Sequence, residues 1–186
     1  MNPQTPIDPA SDPIQVEVIR DGRLRTRIHW EWNGDQVRIR VPRQIRKRQL
    51  EQHVAEIVEQ VQQKRAQVRS RADAELEAIA RRVNRAYLDG AISWNSIRWV
   101  SNMQKRLGSC TVCGPTRGDI RISDRLKGWP LWVLEYVIVH ELVHLQYPNH
   151  SPEFWATVHR YPQAERARGF VLGVAFQQGA DAEEWL

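Results

Sequence analysis

Cysteine is nearly absent from this chain: Cys110 and Cys113 are the only two in 186 residues. So few thiols exclude a disulfide scaffold, leave the fold to rest on a packed core, and suit a reducing compartment. Long apolar runs are missing too. The best stretch, Leu131 to Leu145, is interrupted by Glu135, His140, Glu141 and His144, which excludes a membrane-spanning helix. The first residues, M-N-P-Q-T-P-I-D-P-A, lack the basic segment followed by an apolar one that marks a signal peptide, and a cytoplasmic location is expected. No internal repeat is found. Lysine is scarce, so the cations are almost all arginine, and 27 Lys and Arg stand against 22 Asp and Glu. A basic surface favours anionic partners such as nucleic acid or nucleotides, although arginines spread along a chain also serve solubility alone.

The length fits one domain. Residues 1–13 carry four prolines and little apolar content, and read as a disordered tail. The remainder, 14–186, is expected to be a single domain. Residues 14–42 alternate with period two, with Asp21-Gly22 and Asn33-Gly34 as tight-turn signals, so a three-stranded meander is expected. Residues 43–89 read as long helices. The first carries a stripe of Leu50, Val54, Ile57, Val61 and Val68, and the second carries Leu76, Ile79, Val83 and Tyr87; no strong breaker separates them, and Asp89-Gly90 ends them. Residues 96–162 form the expected catalytic core, with strands at Ile97–Met103 and Gly118–Ser123 joined by a turn-rich segment containing Gly108, Gly114 and Pro115. Pro130 opens a helix apolar nearly all round, Pro148 stops it, and Pro152 opens a short helix with Phe154, Trp155 and Val158. A helix from Gln163 to Phe176 and a tail complete the chain at 163–186.

The chemistry is concentrated at residues 140–150, H-E-L-V-H-L-Q-Y-P-N-H. His140 and His144 are four residues apart, so they share one helix face and can grip one metal ion. Glu141, beside the first ligand, is where a base must stand to take a proton from water at that metal. The H-E-x-x-H pattern is the signature of zinc metalloproteases and related hydrolases. Zinc in a catalytic site takes three protein ligands. His150, behind the turn at Pro148, is the leading candidate for the third, with His159 as the alternative. The spacing from His140 to His150 equals that of the metzincins, but Tyr147 stands where their glycine would be and no Met-turn follows. Three histidines favour zinc among divalent ions. Tyr147, Tyr161, His159 and Arg106 are unranked candidates for stabilising an oxyanion, and Glu153 for orienting a ligand. The C-x-x-C at Cys110 and Cys113 has no second pair, so it reads as two turn cysteines with a metal-proximal role as the alternative. Trp129, Trp132 and Trp155 read as packing around the metal helix.

Four blocks in order, R-L-G-S-C at 106–110, G-D-I-R-I-S-D-R-L at 118–126, V-I-V-H-E-L-V-H-L at 137–145 and N-H-S-P-E-F-W at 149–155, resemble the YgjP-like metallopeptidase family, small zincins similar to SprT-like and WLM domains. The likeness covers roughly residues 20–165. Leu107 departs from the tryptophan usual in the first block. The resemblance implies an α+β, zincin-like fold of the minigluzincin type: a small twisted, mainly antiparallel sheet packed on helices, with the metal helix in the core. It implies zinc on His140, His144 and His150, Glu141 as base, and an edge strand at Gly118, Asp119, Ile120, Arg121 and Ile122 to which a peptide adds. Arg106 and Tyr147 complete the expected substrate contacts. The expected activity is hydrolysis of peptide bonds in a peptide or protein substrate. A zinc-dependent nucleotide or phosphoester hydrolase, pyrophosphatase-like, and a DNA-associated protease or binding module are the alternatives.

Overall fold

The fold is that of a computed structural model, which describes residues 14–33, 36–103, 105–180 and 185. The expected disordered tail at 1–13, Gly34 of the second turn signal and most of the tail beyond 180 lie outside the described residues. The chain forms two compact units, Met1–Arg69 and Ser70–Leu186.

In the first unit, strands β1 (Gln15–Asp21), β2 (His29–Asn33) and β3 (Gln36–Pro42) form a sheet in the order β1-β3-β2. This corrects the expected meander. β3 lies in the centre, parallel to β1 with Val16 opposite Val37, and antiparallel to β2 with Trp30 opposite Ile39. The reason is hydrophobic: Val37, Ile39 and Val41 alternate along β3 and are completely buried, so this strand belongs where both edges are paired. Asp21 does accept turn bonds from Leu24 and Arg23, but the chain then continues across the end of β3 instead of folding back as a hairpin. Helix α1 (Lys47–Tyr87) is continuous, and its Ile57 and Val61 close the core of this unit. Val68, expected on the apolar stripe, is 64% exposed because it falls between the residues that serve the two cores.

In the second unit, β4 (Ser96–Val100), β5 (Gly108–Cys110) and β6 (Asp119–Ser123) are ordered β4-β6-β5, followed by α2 (Leu131–His144), α3 (Pro152–Val158) and α4 (Ala164–Gln177). β6 runs parallel to β4 and antiparallel to β5. Both sheets are therefore mixed where mainly antiparallel pairing was expected. The segment expected at the edge, 119–123, is the central strand, and β5 holds the edge. Ile120 and Ile122 are fully buried and require neighbours on both sides, whereas Gly-Ser-Cys is too short and polar to announce itself as a strand.

α2 is the core of this unit. Ten of the eleven positions from Val133 to Val143, all but Glu135, are buried, as an all-round apolar helix must be. Behind it, Glu135 accepts bonds from Arg82 and from the hydroxyl of Tyr161, which also reaches the Trp132 carbonyl. α1 ends at a left-handed Asp89-Gly90 pair, with Gly90 N–H returning to the Asn84 carbonyl. Among the described residues no helix is long and apolar enough to cross a membrane.

Candidate metal centre

The last turn of α2 carries His140, Glu141 and His144, and the chain then turns through 145–151 into α3. Ser151 caps α3 by accepting the Phe154 N–H at 3.3 Å, and Pro152 fills its first position. This short return brings His150 back against α2. The Nε2 atoms of His144 and His150 each lie 3.1 Å from Nε2 of His140. His144 Nδ1 donates to the Tyr147 carbonyl at 3.3 Å, which turns its Nε2 lone pair inward. His140 Nδ1 is buried without a protein partner.

Three neutral imidazoles aim lone pairs at one point, an arrangement that repels itself unless a cation is shared. The spacing suits one. Nitrogens at 2.0–2.1 Å from a tetrahedral ion are about 3.3 Å apart. Among the described residues His140, His144 and His150 are the one group of side chains placed to hold a metal ion. Burial lowers the pKa of all three, and for His140, the most buried, the neighbouring His144 and His150 lower it further. They are therefore neutral near pH 7, the form that binds metal.

Phe154 is fully buried and its ring lies 4.6–4.9 Å, centroid to centroid, from each of the three histidines. Trp155 stacks on His150 at 5.4 Å. These two rings form the wall that fixes the imidazoles.

Glu141 faces a cleft of about 520 Å³ lined by Lys105, Arg106, Gly108–Cys110, Val112, His144, Pro148 and His150. Its carboxyl is buried, and burial raises its pKa to about 8 against the opposing charge of Arg106. Gly108 touches it directly: a β-carbon there would come within 2.7–2.8 Å of the Glu141 Cγ and Cδ. A side chain at this position of β5 would therefore displace the Glu141 carboxyl. Cys110 also lines the cleft. Burial first, and then the charges of Glu141 and Asp119, push its thiol up to about 12, so it is not a thiolate nucleophile. Cys113 is exposed.

The other expected residues are dispersed. Arg106 is on the cleft wall. Gly118 has φ +86° and abuts Asn95, a turn position. Asp119 accepts from Asn95 and Ser96, which lower its pKa. Ile120 and Ile122 are core, and Arg121 reaches Asn102. Tyr147 serves through its carbonyl. Tyr161 is engaged with Glu135, His159 with Glu165 at 2.7 Å, and Glu153 with Ser151, so none of these three side chains lines the cleft.

Gly108 and Phe154 were missed as site residues, although both lie in the quoted blocks. Gly108 read as a turn glycine and Phe154 only as part of a short helix; the contact with Glu141 and the position under the histidines distinguish them.

A family model described as YgjP-like, metallopeptidase domain, matches residues 72–169. The metallopeptidase zymogen of Pyrococcus abyssi abylysin is similar in structure, with 18% identity and a TM-score of 0.47 over 57% of this chain and 97% of that one. No curated protein matches.

Proposed function

Because the chain belongs to the YgjP-like metallopeptidase family, we propose that this metal-dependent peptidase uses zinc, held by His140, His144 and His150, with Glu141 as the general base. The observation that carries the reading is the convergence of three imidazole Nε2 atoms beside a buried carboxyl that opens on a cleft. A zinc ion on these rings supplies Lewis acidity, acidifying water and polarising the scissile carbonyl. Glu141 takes the proton of the attacking water on a carboxylate oxygen and delivers it to the amine as the peptide C–N bond breaks. Arg106, the one oxyanion candidate of the four that lines the cleft, offers positive charge to the developing oxyanion.

The substrate strand adds to β5 rather than to β6. Ser123 N–H bonds to the Leu107 carbonyl and Thr111 N–H to the Asp119 carbonyl. In an antiparallel ladder the residues between, Gly108 and Cys110, turn their N–H and C=O groups to the open side. An extended peptide paired there passes Glu141.

The test is incubation of the zinc-loaded chain with an unfolded protein, scored by new amino termini, beside nucleoside triphosphates scored by released phosphate or pyrophosphate. Peptide cleavage that falls by at least 10³-fold in Glu141→Gln is expected. Turnover of the nucleotide alone, lost in the same variant, contradicts the peptidase reading.

A further inference from the structure

The cations on the sheet of the first unit and in the turns at its end fall into two sets. On the outer face of its sheet they are matched: Arg38 pairs with Glu17 at 2.7 Å, and Arg40 approaches Glu31 at 3.9 Å. At one end of the sheet they are not. Asp21 stands opposite Pro42 and His29 opposite Arg40, so the 22–28 connection and the 43–46 turn leave from the same end. A bond from the Arg20 guanidinium, near the end of β1, to the Arg43 carbonyl at 2.9 Å holds the second segment beside the first. The first segment brings Arg23, Arg25 and Arg27, and the second brings Arg43, Arg46, Lys47 and Arg48. All seven are exposed. Among the described residues their one ion pair is Lys47 with Glu51, at 3.9 Å. The nearby carboxylate of Asp21 is bonded to a backbone N–H.

The position of the second group is also unfavourable for folding. It sits on the start of α1, whose first turn has no acidic residue. A helix N-terminus is the positive end of the macrodipole, so Arg46, Lys47 and Arg48 are repelled both by it and by one another. Local electrostatics that oppose the fold mark a functional surface.

We propose that this end of the first sheet binds nucleic acid through its phosphodiester backbone, without base specificity. The composition favours that partner over an anionic membrane. Six of the seven cations are arginine, whose guanidinium forks match phosphate oxygens. Of the three apolar residues in the two segments, Ile28 and Ile45 pack on the unit's own core and Leu24 is half-buried, so none stands free to insert into lipid. The surface is independent of the peptidase reading, since none of its residues lines the cleft.

The test uses the full chain and a fluorescein-labelled 25-base-pair DNA duplex, with anisotropy measured across a salt series. Binding with a dissociation constant of about 10⁻⁵ M near 0.1 M salt and a log–log salt slope steeper than about −4 is expected. Replacing Arg23, Arg25 and Arg27 together with Gln should weaken binding at least tenfold and lower the slope by about 2–3. The variant Arg71→Gln, Arg81→Gln, Arg117→Gln removes the same charge from exposed positions elsewhere, and should stay within threefold of wild type. No binding, an equal loss in both variants, or an unchanged slope overturns the proposal. So does capture by phosphatidylserine vesicles with the same variant dependence and no affinity for DNA.

Discussion

Glu141→Gln in the metal-free protein isolates what it costs to bury this carboxyl. The carboxyl moves from a model-compound value of 4.5 to about 8, because burial disfavours its charged form. A carboxyl that binds its proton more tightly in the native state supports folding below pH 4.5, and that support is lost as the pH rises toward 8. Between pH 5 and pH 7 the loss amounts to about 2–3 kcal/mol. The three histidines act in the opposite direction. Their pKa values are lowered, so their contribution is present above about 6.5 and lost on acidification. They remain in the glutamine variant, so the difference between the two proteins isolates the carboxyl. Urea denaturation of chelator-stripped protein at pH 5, 6 and 7 measures it. The variant should gain about 2–3 kcal/mol relative to wild type over that interval. A difference that stays flat with pH refutes the claim that Glu141 is buried with its charge suppressed.

Gly108→Ala places a methyl group against the Glu141 carboxylate and should cost about 1–3 kcal/mol by denaturation. It should also reduce peptide hydrolysis by at least 10²-fold with zinc content retained, because it displaces Glu141 and not the three histidines. Phe154→Ala opens a void beneath all three imidazoles. A loss of about 3–5 kcal/mol is expected, with weaker zinc binding in competition with a chelating dye. Tyr161→Phe removes the hydroxyl bonded to Glu135 and the Trp132 carbonyl. It should lower stability by about 1–2 kcal/mol and leave kcat within twofold, as a residue behind α2 should.

The helices were readable because their signals are local. The apolar surround of α2, Pro152 at the start of α3 and Asp89-Gly90 at the end of α1 each mark an element within a few residues. His140 and His144 were legible for the same reason, since helical spacing alone sets their common face, with Glu141 directly after the first. The sheets were not. Strand order depends on which strand needs two partners, and that follows from the complete burial of Val37, Ile39 and Val41 in one sheet and of Ile120 and Ile122 in the other. The same error put the expected sheet edge on β6, which is central, instead of on β5. A three-residue Gly-Ser-Cys strand has no periodicity to detect, and its place beside Glu141 follows from a missing side chain at Gly108. The residues from Arg38 to Arg48 are rich in arginine in the sequence itself, but only the register separates the paired Arg38 and Arg40 from the cluster beyond, where Lys47 alone has an ion pair.

Zinc K-edge X-ray absorption on the purified chain, with metal content measured on the same sample, tests the central claim most directly. About one zinc per chain is expected, with three imidazole nitrogens at about 2.0–2.1 Å, one lighter oxygen ligand, and no sulfur. Sulfur at about 2.3 Å, which would bring Cys110 into the ligand set, or undiminished zinc in the His140→Ala, His144→Ala variant, would contradict it.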